Sequence, residues 1–304
     1  MFKHLLSVLA ASLVLIGWSG IAHAAGCGIG AAGTTQSVTI GNTGRSMLVH
    51  MPAGANDGPL PLLFLFHGST GTGAGMLRNS HLEETADRHG FILVAPDGGI
   101  PVEGGGFVWN IPDVPTVTGQ IPTKDDADDV AFVGQAIDWL VGQGCVDATR
   151  VYATGLSGGG RMTSWLGCVD ADRFAAIAPV VGLRAGNPLK SDPQTPDPAT
   201  CRPSRPVPVI AFAGDKDTTN PIEGGGAGYW QYTMHAAEQR WAQLNGCITA
   251  PTTQWVAAGV YEERYSGCRN GADVAGRITV GGTHTWLADN EAMWMFLSDH
   301  RRQD

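Results

Sequence analysis

Charge is scarce in this chain. Only 15% of its 304 residues are Asp, Glu, Lys or Arg, with 28 acids against 19 bases for a net charge of -9, where about a quarter charged is usual. No basic stretch offers the electrostatic footprint that nucleic acid or an anionic membrane would need. Long apolar runs are also few. Outside the amino-terminal segment nothing approaches the ~20 residues of a membrane-spanning helix. C-x-x-C pairs and histidines at zinc-finger spacing are missing, which disfavours a metal. The Gly-rich stretch from Gly68 to Gly75 follows an apolar run but lacks the G-K-[ST] of a P-loop and the G-x-G-x-x-G spacing of a dinucleotide site. We therefore expect no metal, no cofactor and no nucleic-acid partner. The acids Asp125, Asp126, Asp128 and Asp129 read as a solvated loop with a helix N-cap rather than a calcium site.

The amino terminus has an export pattern. Lys3 is followed by a short apolar run from Leu5 to Ile16 and by Ala22-His23-Ala24, a small-x-small cleavage site. This predicts a signal peptide over residues 1–24 and a catalytic domain over 25–304, with no membrane association after cleavage. Cys27, Cys145, Cys168, Cys201, Cys247 and Cys268 all follow the cleavage site. An even number of cysteines behind an export signal argues for three disulfides and a secreted protein, extracellular or periplasmic, and leaves the pairing open.

Along the chain, strand patterns alternate with helical ones. Strands are expected within Gln36 to Pro52 and over Leu60 to Phe66, Phe91 to Ala95, Arg150 to Thr154, Ala176 to Val181, Val207 to Ala213, Trp255 to Tyr265 and Ile278 to Val280. Helices are expected over Met76 to His89, from Asp128 or Asp129 to Val141, around Gly160 to Leu166, and over Tyr229 to Leu244 and Glu291 to His300. Gly104 to Lys124 has no sustained period and reads as a loop. This alternation predicts one α/β domain with a mainly parallel sheet covered by helices on both faces.

The chemistry starts at Thr154-Gly155-Leu156-Ser157-Gly158-Gly159. A strand runs into G-x-S-x-G and a helix follows, the context of a nucleophile elbow with Ser157 exposed at the strand end. A serine hydroxyl needs a base. Of nine histidines, His284 in Gly281-Gly282-Thr283-His284-Thr285-Trp286 lies in a loop after the last strand, where such a base belongs. An acid should orient that base and lie between the two in chain order. The strand ending in Gly214-Asp215-Lys216-Asp217 supplies it; Asp217 lies further into the loop and is preferred, with Asp215 as the alternative. The order Ser157, Asp217, His284 is that of the α/β-hydrolases. Oxyanion donors should be the backbone N–H of Gly158 and one from His67-Gly68-Ser69-Thr70-Gly71, with Ser69 favoured. His67, Trp109 and Trp286 are candidate substrate contacts.

These residues resemble a known group, the polyhydroxybutyrate depolymerase-like esterases, allied to the feruloyl and acetylxylan esterases of carbohydrate esterase family 1. The resemblance is carried by Arg45 to Pro52, Phe66-His67-Gly68, Asp128-Asp129-Val130, Cys145-Val146-Asp147, Arg150 to Ser157, Phe174 to Val180 and Gly281 to Trp286. It implies an α/β-hydrolase fold, a triad of Ser157, Asp217 and His284, an oxyanion hole from Ser69 and Gly158, and Trp286 in contact with substrate. It also implies the pairs Cys27 with Cys145, Cys168 with Cys201 and Cys247 with Cys268. The chain departs from the group at Ala213 before Gly214, where histidine is frequent, and at Thr283 and Leu287 around the base. Expected substrates are short-chain or aryl esters, hydroxyalkanoate oligomers or polymer, and feruloyl or acetyl groups on polysaccharide. The rivals are a serine peptidase and an inactive polymer- or carbohydrate-binding protein on the same fold.

Overall fold

A computed structural model describes residues 27–54 and 58–303; the expected signal peptide lies outside them. Ten strands form one sheet: β1 (Thr34–Thr39), β2 (Ser46–Met51), β3 (Leu60–Phe66), β4 (Ile92–Pro96), β5 (Val146–Leu156), β6 (Ala176–Val180), β7 (Val209–Gly214), β8 (Thr252–Ala257), β9 (Val260–Tyr265) and β10 (Val274–Thr279). Their spatial order is β1-β2-β4-β3-β5-β6-β7-β10-β9-β8. The six from β4 to β10 in that order are parallel, and an antiparallel hairpin extends each edge. Parallel strands need helical crossovers, which cover both faces of the sheet and demand apolar side chains on both. All seven residues of β3 are accordingly buried. This is the α/β-hydrolase architecture.

Six helices make the cover: α1 (Gly73–Ser80), α2 (Leu82–His89), α3 (Asp129–Gly142), α4 (Gly158–Val169), α5 (Met234–Asn245) and α6 (Asn290–Ser298). Two apolar clusters result, one on each face. Phe66, Phe132, Met162 and Trp241 belong to the first; Leu82, Phe91, Met293 and Trp294 belong to the second. The α3 cap is Asp128, whose carboxylate accepts from the Ala131 amide at 2.9 Å. No helix of the described residues is long and apolar enough to cross a membrane.

Three expected elements are divided or shortened. The helix over Met76 to His89 is two helices, because His81 adopts a left-handed conformation (φ 54°) between them. The Ser80 carbonyl freed by the break accepts from the Asn290 side chain at 2.8 Å. Trp255 to Tyr265 spans a hairpin, turning at Gly259 with φ 72°. The helix expected from Tyr229 starts only at Met234, capped by Thr233. Tyr229, Trp230 and Tyr232 instead lay their rings against two arginines.

All six cysteines are paired: Cys27 with Cys145, Cys168 with Cys201, and Cys247 with Cys268. The first ties the start of the described chain to the residue before β5 across a sequence separation of 118.

Candidate active site

Ser157 stands between β5 and α4, at the carboxyl edge of the parallel sheet, where open α/β sheets place their ligands. Its backbone has φ 56° and ψ -111°, outside the regions that side chains prefer. Strain of this kind costs about 1–3 kcal/mol and persists only where the surroundings impose it. They do so here: the Ser157 amide donates to the Val180 carbonyl at 2.9 Å, and its carbonyl accepts from Arg161 N at 2.9 Å. The turn packs so closely on β3 that a Cβ on Gly159 would collide with the Phe66 carbonyl. Glycine is therefore required there by contact.

His284 follows β10 and reaches back to the serine. Its Nε2 lies 2.8 Å from Ser157 Oγ, and its Nδ1 lies 2.7 Å from Asp217 Oδ2. Asp217 is buried, and its Oδ1 accepts from the Thr219 and Asn220 amides at 2.8 and 2.9 Å. Burial pushes its pKa up, but the hydrogen bonds from His284, Asn220 and Thr219 outweigh this and hold the carboxyl below its ordinary value. Asp215, the alternative acid, points elsewhere and accepts from the Gly281 amide at 2.6 Å.

The amides of Ser69 and Gly158 are brought together. A Cβ on Gly158 would lie 3.0 Å from Ser69 N and 2.5 Å from Ser69 Oγ. The Gly158 N–H opens α4 and has no partner within the helix. Among the described residues nothing accepts from Ser69 N, whereas the neighbouring Thr70 amide is occupied by the Phe107 carbonyl at 2.8 Å. The Ser69 and Gly158 amides and the N-terminus of α4 thus lie close together next to Ser157 in the chain turn, the kind of groups that stabilise developing negative charge.

The expected substrate contacts fare differently. His67 is 1% exposed, its Nδ1 donates to the Gly68 carbonyl at 2.7 Å, and its Nε2 accepts from the Gly98 amide at 2.9 Å. Burial lowers its pKa. With both ring nitrogens engaged it braces the loop carrying Ser69 and has no polar side-chain atom free for a ligand. Trp109 is buried as well; its Nε1 donates to the His67 carbonyl at 2.8 Å and its ring packs on His67 and Phe66. It also lines a recess shared with Ser69 and Gly158. Trp286 is half-buried two residues after His284, its Nε1 donating to Asn290 Oδ1 at 2.9 Å.

The loop holding Trp109 is anchored by Asp129. That buried carboxylate accepts from Arg45 Nη2 at 2.7 Å and from the Gly99 and Asn110 amides at 2.9 and 2.8 Å. Arg161 and Arg184 went unnoticed in the sequence. Both are buried and line one cleft, and Arg161 also lines the recess bounded by Ser69 and Gly158. One signal was available for Arg161: a cation in the first turn of a helix lies at the end its dipole disfavours.

Residues 122–187, which contain the serine turn, match the model of the prolyl oligopeptidase family. The chain is 30% identical over 261 residues to feruloyl esterase B of Piromyces equi, a match covering 83% of this chain and 45% of that protein. It spans about half the length of the first curated relatives it matches. Among solved structures, an acetyl xylan esterase from Aspergillus awamori superposes with a TM-score of 0.62 at 17% identity, covering 87% of this chain and 99% of that one. The poly(3-hydroxybutyrate) depolymerase LpqC from Bordetella parapertussis gives 0.52 at 18% identity, covering 86% and 88%. In sequence the chain is thus a relative of feruloyl and acetylxylan esterases, and its α/β-hydrolase fold is shared with an acetyl xylan esterase and a poly(3-hydroxybutyrate) depolymerase.

Proposed function

We propose that the chain is an exported serine hydrolase of carboxylic esters. The observation that carries this reading is the unbroken hydrogen-bond chain from Ser157 Oγ through His284 to Asp217, at 2.8 and 2.7 Å. Ser157 Oγ attacks the ester carbonyl while His284 Nε2 takes its proton. Asp217 remains ionised, holds the imidazole with its proton on Nδ1 and stabilises the imidazolium. The amides of Ser69 and Gly158 receive the oxyanion. His284 then returns the proton to the departing alcohol, leaving an acyl-serine. Water, deprotonated by the same histidine, releases the acid and restores the serine.

Export to the periplasm or the medium is supported by the three disulfides, which belong to oxidising compartments. Short-chain and aryl esters, 3-hydroxybutyrate oligomers and feruloyl or acetyl groups on polysaccharide are the substrate classes that the similar proteins suggest. Trp286 is assigned to the substrate wall beside His284. In the test, the chain turns over 4-nitrophenyl butyrate and is labelled by a fluorophosphonate, and Ser157→Ala loses both with an unchanged circular dichroism spectrum. A wild type inert to both reagents sinks the proposal. Faster cleavage of a peptide 4-nitroanilide than of any ester would favour the peptidase reading, to which the match with the prolyl oligopeptidase family lends some weight. A panel of methyl ferulate, acetylated xylan and poly(3-hydroxybutyrate) separates the ester classes.

A further inference from the structure

Two arginines near the proposed nucleophile are buried with no acid beside them. Arg161 lies in the first turn of α4 and Arg184 lies in the segment between β6 and β7; each is 7% exposed. Arg161 Nη2 is 3.4 Å from Ser69 Oγ, and its guanidinium lies 4.0 Å from the centre of the Tyr229 ring. Arg184 Nη1 donates to the Tyr232 carbonyl at 2.9 Å, and its guanidinium lies 3.4 Å from the centre of the Trp230 ring. Arg161 Nε and Arg184 Nε and Nη2 are buried without a hydrogen-bond partner.

Two buried carboxylates in the molecule are neutralised by arginines. Asp129 pairs with Arg45, and Glu262 pairs with Arg264 and Arg277. Around Arg161 the charge that acts is Arg184, of the same sign, together with the Tyr229 phenol. Burial draws both guanidinium pKa values down to about 10, so both remain cationic at neutral pH. Aromatic faces offset part of the cost of desolvating a cation, but they fill none of its in-plane donors. A guanidinium fork is shaped for the two oxygens of a carboxylate.

Both arginines line one narrow, open-mouthed cleft with an enclosed volume of about 20 Å³, and Ile111, Val114 and Trp165 are among its walls. Arg161, Ile111 and Val114 also line a second recess, bounded by Ser69 and Gly158. Arg161 therefore borders both the cleft it shares with Arg184 and the recess at the proposed oxyanion donors.

We propose that this cleft receives a free carboxylate of the substrate, so that the chain prefers esters bearing an acid group a few bonds from the scissile carbonyl. Half-esters of dicarboxylic acids and hydroxy-acid oligomers ending in a free acid fit this description. The apolar walls take the aliphatic spacer, and Arg161 and Arg184 take the carboxylate. The inference rests on Ser157 being the nucleophile, and its test separates the two claims.

The kinetic arm compares 4-nitrophenyl hemiglutarate with 4-nitrophenyl pentanoate, whose acyl chains are of equal length. A second pair compares the linear dimer of 3-hydroxybutyric acid with its methyl ester, placing the carboxylate on the alcohol side. An advantage of about tenfold or more in kcat/KM for the acid member of either pair supports the assignment. Arg161→Gln and Arg184→Gln should bring that ratio toward one, and Arg161→Lys, which keeps the charge and loses the fork, should fall between. Turnover of the neutral members with no advantage in either pair overturns the inference and leaves the hydrolase standing. The binding arm needs no turnover: monomethyl glutarate should raise the Tm of Ser157→Ala, and dimethyl glutarate should not. If no ester is hydrolysed, the hydrolase reading fails and this arm alone decides the site. Equal stabilisation by both esters, or by inorganic phosphate as much as by monomethyl glutarate, would remove the carboxylate assignment.

Discussion

The two sides of Ser157 carry charge in opposite ways. Toward His284, Asp217 is buried with donors on both oxygens: two amides on Oδ1 and the imidazole on Oδ2. Toward the cleft, Arg161 and Arg184 are equally withdrawn from water, yet three of their nitrogens have no partner. A buried charge that must hold another group at a set angle is saturated from within, because any vacancy would let it turn. A buried charge with open donors is costly to the fold, and that cost is recovered when a ligand of opposite sign arrives. The difference separates a group that orients the reaction from one that selects what reacts.

The comparison can be broken from the saturated side first. Ser157→Ala should lower ester turnover by at least about 10⁵-fold, with binding of intact ester retained. Asp217→Asn keeps the size of the side chain but cannot hold the same tautomer of His284; kcat should fall about 10³–10⁴-fold with little change in KM. Asp129→Ala would convert a saturated site into an unsaturated one, stranding Arg45 and the Gly99 and Asn110 amides. Denaturant unfolding should show a loss of about 3–5 kcal/mol. Gly158→Ala inserts a methyl 2.5 Å from Ser69 Oγ and 3.0 Å from Ser69 N, against the proposed oxyanion donors. It should lower kcat about 10²–10³-fold, and an unchanged kcat would remove those amides from the mechanism.

The smallest effect is in acid. The folded pKa of Asp217 is lowered below its unfolded value of about 3.9. Its ionised form therefore stabilises the fold fully above the unfolded pKa, and this contribution is lost as pH falls through the folded one. The Tm difference between wild type and Asp217→Asn should be constant above about pH 5 and shrink below about pH 4. A difference that grows on acidification would contradict the direction of the shift.

Much of this could be read from the sequence, for reasons that differ by element. Leu60 to Phe66 was legible because a strand buried on both faces is apolar at every position. The serine turn was legible because close approach to β3 admits only glycine at Gly159. Elements whose shape depends on distant partners were harder. His81 divides a helix whose periodicity runs through it, and Ser80 finds its acceptor role with Asn290, more than two hundred positions along the chain. Tyr229, Trp230 and Tyr232 have helical spacing but serve as faces for Arg161 and Arg184. His67 and Trp109, read as substrate contacts, are both buried and hydrogen-bonded within the fold, and Trp109 also lines the recess beside Ser69 and Gly158.

Local order in the chain thus determined the alternation of strand and helix, the turn at Ser157 and the succession of serine, acid and base, since each depends on neighbouring residues or on chain order alone. Tertiary structure decided the rest. It separated Asp217 from Asp215 by a hydrogen bond to a residue 67 positions away, and it placed Ser69 N beside Gly158. It also gathered two arginines without an acid into one cleft. Burial and pairing are properties of what surrounds a side chain in space, and for these residues the surroundings come from segments that the sequence keeps apart.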